Sequence, residues 1–360
     1  MKTLFIVVYD ITLLGGAEKV ALNLANDLCN TQNIVVVSVF HANPNPIVKL
    51  NDAIKVEILS DKPLSMSLNL FKLSIRLRKL IKKYKASNIL GITAGSNTII
   101  KIASLFTTTN TIYAEHSNLL NDQYGFKHKF RQFLGAKTFD KVVTLTDSDS
   151  QVFKEKFKLC DSKVTRIYNY VETPNLVTEY KAGNKIVSVG RLAVVKGYDR
   201  AIQVASILKQ QDILFSWDVY GDGPEKEHLE KLIEESGLKG VFNLKGAIDD
   251  VNTVLGDYSL FINTSTYEGL PLSFLEARNH KLPIVSFDCP TGPKEIVRSG
   301  IDGKLITPYS IDEMVENVRK LITTPKLLIN YSNAISNSDD KFKKEQVLQQ
   351  WRNLLEGKNL

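Results

Sequence analysis

Two hydrophobic rhythms alternate along this chain. Nearly continuous apolar runs at residues 4–9, 34–40, 89–92, 99–105, 111–114 and 141–145 are interleaved with stretches in which apolar residues recur at helical spacing, over 17–29 and 71–85. A strand exposed on one face would carry a polar residue at every second position, so unbroken apolar runs suit strands covered on both faces. Strand following helix in this order predicts a mostly parallel sheet between two helical layers. The rhythm stops in the turn-rich stretch NYVETPN at residues 169–175 and restarts at residue 185. Beyond it, strands are expected at 186–189, 216–220, 241–244, 258–262 and 284–287, with helices at 198–209, at 225–236 and after Pro271. Two α/β domains follow, residues 1–175 and 176–340, with a final helix near 341–360 returning to the first. Sheets of this kind bind ligands at the carboxyl ends of their strands.

Composition narrows the classes. The 360 residues, 43% hydrophobic and 24% charged, describe a soluble globular protein long enough for two cores. No apolar run approaches the roughly 20 residues of a membrane-spanning helix. The first apolar run is broken by Asp10 with no small-residue cleavage site after it, which reads as a strand rather than a secretory signal. Cys29, Cys160 and Cys289 are odd in number and far apart, so a reducing, cytoplasmic setting is expected and no disulfide framework or zinc cluster is. The five histidines show no ligand spacing, and neither a metal nor a cofactor is expected.

The net charge of +7 is uneven. Residues 1–170 hold 23 Lys and Arg against 13 Asp and Glu, whereas residues 171–360 hold 23 against 26. The excess is densest at 71–85, FKLSIRLRKLIKKYK. This is an amphipathic basic helix that either lies on an anionic membrane surface or packs its apolar side into the core and leaves a solvated basic face. Without interleaved aromatic residues or a binding motif, nucleic acid is not an expected partner.

Candidate chemistry is concentrated in residues 263–276, NTSTYEGLPLSFLE. Glu268 precedes Gly269, Leu270 and Pro271, and proline favours the first helical turn, so a helix is predicted from Pro271. Amides of Gly269, Leu270 and Leu272 would then surround a helix N-terminus suited to a phosphate, with Glu276 beyond it. A wholly helical span of eight residues would cover about 12 Å, placing the two carboxylates on either side of a diphosphate, the layout of a nucleotide-sugar. Arg191 and Lys196 follow the strand at 186–189 and are either a diphosphate clamp or two surface cations. Gly15 and Gly16 open a helix, either to let a phosphate approach or as a tight turn. His116, at the end of the strand at 111–114, is either a structural residue or one that binds a hydroxyl or carries a proton near neutral pH.

In order and spacing these segments resemble glycosyltransferase family 4, the retaining GT-B enzymes that include many bacterial lipopolysaccharide, capsule and exopolysaccharide transferases. The likeness rests on GGAEKVALNLA at 15–25, EHSN at 115–118, IYNYVE at 167–172, VGRLAVVKGYDRAI at 189–202, VYGDGPEKEHLEKLI at 219–233 and STYEGLPLSFLEARNHKLPIVSFDCPTGPKEIV at 265–297, and so covers nearly the whole chain. The resemblance implies two facing Rossmann-like domains with a cleft between them, the first binding acceptor and the second the donor. It implies that Arg191, Lys196 and the amides near Gly16 and Leu270 bind the donor diphosphate, that Glu276 holds the ribose, that Glu268 contacts the sugar, and that His116 lies beside the transferred sugar. The expected reaction moves a hexose or N-acetylhexosamine from a UDP-sugar to a lipid-linked oligosaccharide, without metal, on the cytoplasmic face of the inner membrane, to which the basic first domain binds peripherally. A same-fold nucleotide-sugar epimerase or phosphorylase, or a non-catalytic nucleotide-sugar-binding partner, is the alternative.

Overall fold

A computed structural model of the chain describes residues 1–12, 15–41, 48–62, 65–116, 119, 125–174, 179–336 and 340–358. It divides into two compact units, one of residues 1–169 with 343–360 and one of residues 170–342. The boundary thus falls at 169/170, where the expectation had put it at 175/176.

The first unit carries seven strands: β1 (Thr3–Asp10), β2 (Asn33–Phe40), β3 (Lys55–Ile58), β4 (Asn88–Ile92), β5 (Asn110–Ala114), β6 (Lys141–Thr144) and β7 (Val164–Arg166). They form one parallel sheet in the order β3-β2-β1-β4-β5-β6-β7. Helices α1 (Gly16–Leu28), α2 (Met66–Tyr84), α3 (Asn97–Ser104), α4 (Phe126–Thr138) and α5 (Asp147–Phe157) connect them. β1 and β4 hold the centre and are buried almost throughout, as their unbroken apolar runs require. β3 escaped the sequence pattern because it is a short, largely exposed edge strand with alternating charge. α2 starts at Met66, earlier than residue 71, and ends in a left-handed cap at Lys85 whose amide bonds Ile81 and Lys82 carbonyls. The 99–105 run is not a strand but most of α3.

The second unit repeats the winding. Its strands β8 (Lys185–Val189), β9 (Ser216–Tyr220), β10 (Phe242–Gly246), β11 (Leu260–Asn263), β12 (Ile284–Phe287) and β13 (Gly303–Ile306) form a parallel sheet in the order β10-β9-β8-β11-β12-β13. Helices α6 (Tyr198–Gln210), α7 (Lys226–Glu235), α8 (Asn252–Leu255), α9 (Leu272–Asn279), α10 (Pro293–Ile296), α11 (Ile311–Ile322) and α12 (Pro325–Ser336) link and cover the strands. Trp217 is fully buried against Phe242, and its indole N–H donates to Ser188 Oγ at 3.0 Å. Ser188 in turn donates to the Ile262 carbonyl at 2.6 Å, so one polar thread ties three neighbouring strands through an apolar core.

The chain then returns to the first unit through α13 (Lys344–Glu356). This helix buries Val347, Leu348, Trp351, Leu354 and Leu355. Lys344 reaches Asp27 at 2.6 Å, and Asn88 at the start of β4 donates to the Leu355 carbonyl at 3.3 Å. Truncating a buried tryptophan leaves a cavity as well as losing apolar transfer energy, so Trp351→Ala is expected to destabilise the first unit by about 3–5 kcal/mol. Urea unfolding followed by circular dichroism reads this; an unchanged midpoint would show that α13 is dispensable to that core.

Candidate functional site

In each sheet the strand order reverses at its first strand, between β1 and β4 and between β8 and β11. The loops leaving those strands diverge there and open a crevice at the carboxyl ends.

In the second unit, the loop after β8 is anchored by Gly190 N–H to the Tyr220 carbonyl and Leu192 N–H to the Asp222 carbonyl, both at 3.0 Å. Arg191 lies between these anchors with its side chain exposed. The chain then turns through 194–196 to Gly197, whose positive φ of 62° suits glycine and whose missing Cβ would collide with the Thr264 carbonyl. Thr264 Oγ1 donates to the Lys196 carbonyl at 3.1 Å, and Thr266 N–H to the Val195 carbonyl at 2.9 Å. These contacts stitch the Lys196 turn to the loop after β11. As a result Lys196 Nζ stands 2.7 Å from Glu268 Oε1, an oxygen that also accepts the Ser265 hydroxyl at 2.6 Å.

Glu268 is buried and its backbone carbonyl accepts Thr291 Oγ1 at 2.7 Å. Gly292, at φ 91°, packs onto the Gly269 carbonyl where a Cβ would not fit. The helix expected from Pro271 begins one residue later: Pro271 is the extended N-cap of α9, and the first-turn amides are those of Leu272 and Ser273. Gly269 and Leu270 therefore belong to the turn before the helix, and the 12 Å wholly helical span between the two carboxylates does not form. Glu276 sits on α9 and is buried. The sequence reading set Glu268 on the sugar and Lys196 on the phosphate; here the two side chains are ion-paired. Ser265 and Thr291 were missed as partners of Glu268; Ser265 lies three residues before it, close enough to have been read as a local hydroxyl donor.

In the first unit, β1 ends in Asp10, whose carboxylate accepts the Thr12 amide at 2.8 Å and hydroxyl at 2.6 Å. Gly15 is the extended N-cap of α1, and the Glu18 carboxylate folds over it so closely that a Cβ there would collide. Burial raises the Glu18 pKa, its own backbone amide lowers it, and the Asp10 charge raises it further. The Glu18 carboxyl therefore lies against the start of α1 at Gly15.

His116 follows β5 and the buried Glu115, which accepts Gln132 Nε2 from α4 at 3.0 Å and the Tyr113 hydroxyl. Burial pushes the His116 imidazole down to about 4, and its Nε2 is buried without a hydrogen-bond partner among the described residues. Burial thus favours the neutral ring, which carries one N–H donor and one acceptor nitrogen. Because the folded-state value is depressed, His116 favours the fold fully above its unfolded pKa near 6.5, and that contribution falls as pH drops from 6.5 towards 4. On the order of 3 kcal/mol is involved. Replacing His116 by Asn should flatten this part of the stability-versus-pH curve; an identical curve would show that burial of this imidazole does not set it.

Residues 173–338 match the family model described as glycosyl transferases group 1. Over 359 residues the chain is 26% identical to an uncharacterized glycosyltransferase of Haemophilus influenzae, covering 99% of this chain and all of that protein. It is 28% identical over 285 residues to a poly(ribitol-phosphate) alpha-N-acetylglucosaminyltransferase of Staphylococcus aureus, covering 77% of this chain and 57% of that protein. Among solved structures, a variant of S. aureus TarM in complex with fondaparinux, alpha-GlcNAc-glycerol and UDP superposes with a TM-score of 0.85 at 18% identity, covering 99% of this chain and all of that one. The α/β fold is that of GT-B structures, and the chain is an enzyme, a glycosyltransferase.

Proposed function

We propose that this glycosyltransferase is a retaining enzyme of family 4 that moves a hexose or N-acetylhexosamine from a UDP-sugar to a lipid-linked oligosaccharide in the synthesis of a surface polysaccharide. The observation that carries the reading is the Lys196–Glu268 pair at 2.7 Å, at the carboxyl ends of β8 and β11, with Arg191 on the same loop and the start of α9 four residues beyond Glu268. Glu268 offsets the Lys196 charge, and Arg191, which has no ion pair among the described residues, offers an incoming diphosphate a fork of donors that matches phosphate oxygens. An ammonium has three donors, and Lys196 can keep Glu268 while giving another hydrogen bond to a phosphate oxygen. Its partial positive end makes the first turn of α9 a further anion contact. In this scheme Glu268 faces the sugar, Glu276 the ribose, and neutral His116 donates a hydrogen bond to a sugar hydroxyl. The departing UDP is stabilised by these donors and helps to deprotonate the acceptor hydroxyl, so that electrostatics and positioning do the catalysis without a metal.

UDP in the superposed TarM structure and the polymer-modifying activity named for the S. aureus relative support the donor class and the surface-glycan setting. Membrane contact is supported by α2. Its Leu73, Leu77 and Ile81 are buried, as a core-packed helix requires, yet a second stripe at helical spacing leaves Leu68, Phe71 and Ile75 exposed beside Lys72, Lys79 and Lys82. No helix of the described residues is long and apolar enough to cross a membrane, so this contact is peripheral in the proposal.

Glu268→Gln removes the carboxylate charge but keeps the shape. It should bind UDP as tightly as the parent chain or more so, while turnover falls about a hundredfold, the scale of losing one transition-state contact. A panel of UDP- and GDP-sugars with and without lipid-linked acceptor reads it. Unchanged turnover would remove Glu268 from the mechanism, and product formed without acceptor, or only with free phosphate, would favour an epimerase or a phosphorylase. Changing Lys72, Lys79 and Lys82 together to Glu should abolish most binding to anionic liposomes and leave UDP affinity intact; equal liposome binding would return α2 to a purely structural role.

A further inference from the structure

Between the first turns of α2 and α4 lies a slot of about 220 Å³, floored by Met66, Leu70 and Thr98 and walled by Phe126 and Phe130. The two phenylalanine rings stack at 6.5 Å between centroids with 24° between their planes, although Phe126 remains 83% exposed. Water-facing aromatic residues held in register are an unfavourable way to leave a surface unless something apolar covers them. Lys127 and Arg131 also line the slot, one turn apart on the same side of α4. Among the described residues, none that lines it is acidic. Apolar walls with two cations at the rim match an amphiphile that has a hydrocarbon tail and a phosphate, not a neutral lipid and not a free saccharide. The next residue of α4, Gln132, holds Glu115, the neighbour of His116, so the slot is built on the helix that braces this end of β5.

We infer that this slot takes the first segment of the hydrocarbon tail of a lipid phosphate or diphosphate, with Lys127 and Arg131 on the phosphate, and so positions the lipid end of the acceptor. The inference rests on the lipid-linked acceptor proposed above and adds a residue-level site for its tail. The exposed Phe126 forms part of its wall, and a chain drawn from a bilayer would pass from one apolar medium to another.

Farnesyl diphosphate and inorganic diphosphate, titrated separately into the full chain, test it. Farnesyl diphosphate should bind at least about tenfold more tightly, a difference of about 1.4 kcal/mol. Thr98→Trp, which fills the slot, should erase that preference without changing UDP affinity or liposome binding, and Thr98→Val should retain it. The surface pair Lys127→Glu with Arg131→Glu, which does not touch the core, should weaken farnesyl diphosphate about tenfold. Equal affinity for the two diphosphates, or a folded Thr98→Trp chain that binds farnesyl diphosphate unchanged, would overturn the inference; so would a Thr98→Trp chain that loses liposome binding instead, since the slot would then belong to the docking surface. The proposed reaction fails separately. A chain that prefers farnesyl diphosphate but glycosylates no lipid-linked saccharide keeps the slot and loses the reaction, and a chain that does so with Thr98→Trp indifferent keeps the reaction and loses the slot.

Discussion

Covering a parallel sheet on both faces is the constraint from which the rest follows. Central strands such as β1 and β4 have no side left for water, so every polar or charged group that does chemistry must leave the sheet at a strand end. All strands in each unit point the same way, and the loops after them collect along one edge. The reversal of strand order opens that edge at β8 and β11, whose following loops carry Arg191 and the Lys196–Glu268 pair. The chemistry is therefore placed by the hydrophobic effect before any hydrogen bond is made.

Fine positioning comes from backbone contacts too close for a side chain. Gly197 lies against the Thr264 carbonyl and Gly292 against the Gly269 carbonyl, so the three loops that carry the charged residues touch main chain to main chain. A buried carboxylate such as Glu268 is tolerable because an ammonium and a hydroxyl share one of its oxygens. The pair is also nearly neutral as a unit, which leaves the local field to be set by Arg191 and by the start of α9.

Much of this was legible in the chain. The doubly wound pattern followed from unbroken apolar runs. What stayed hidden depends on distance through space. Lys196 and Glu268 are 72 residues apart, and only the closed loops reveal that they touch. At Gly15 the close neighbour is the Glu18 carboxylate, a contact that sequence spacing does not show. The core-packed reading of α2 holds for Leu73, Leu77 and Ile81, and a 19-residue helix has room for a separate exposed stripe beside them. β3 was invisible because an edge strand lacks the burial that writes a pattern into sequence.

The return of α13 gives the chain an order of assembly. The first unit is made from two separated segments with the whole second unit between them. On the ribosome the early segment waits, its α13-facing apolar surface uncovered, while the second unit emerges and can close on its own. The part of the protein that carries the exposed aromatic and basic face is thus the last to be completed, and until α13 docks the nascent chain offers a chaperone or a membrane a larger greasy surface than the finished enzyme does.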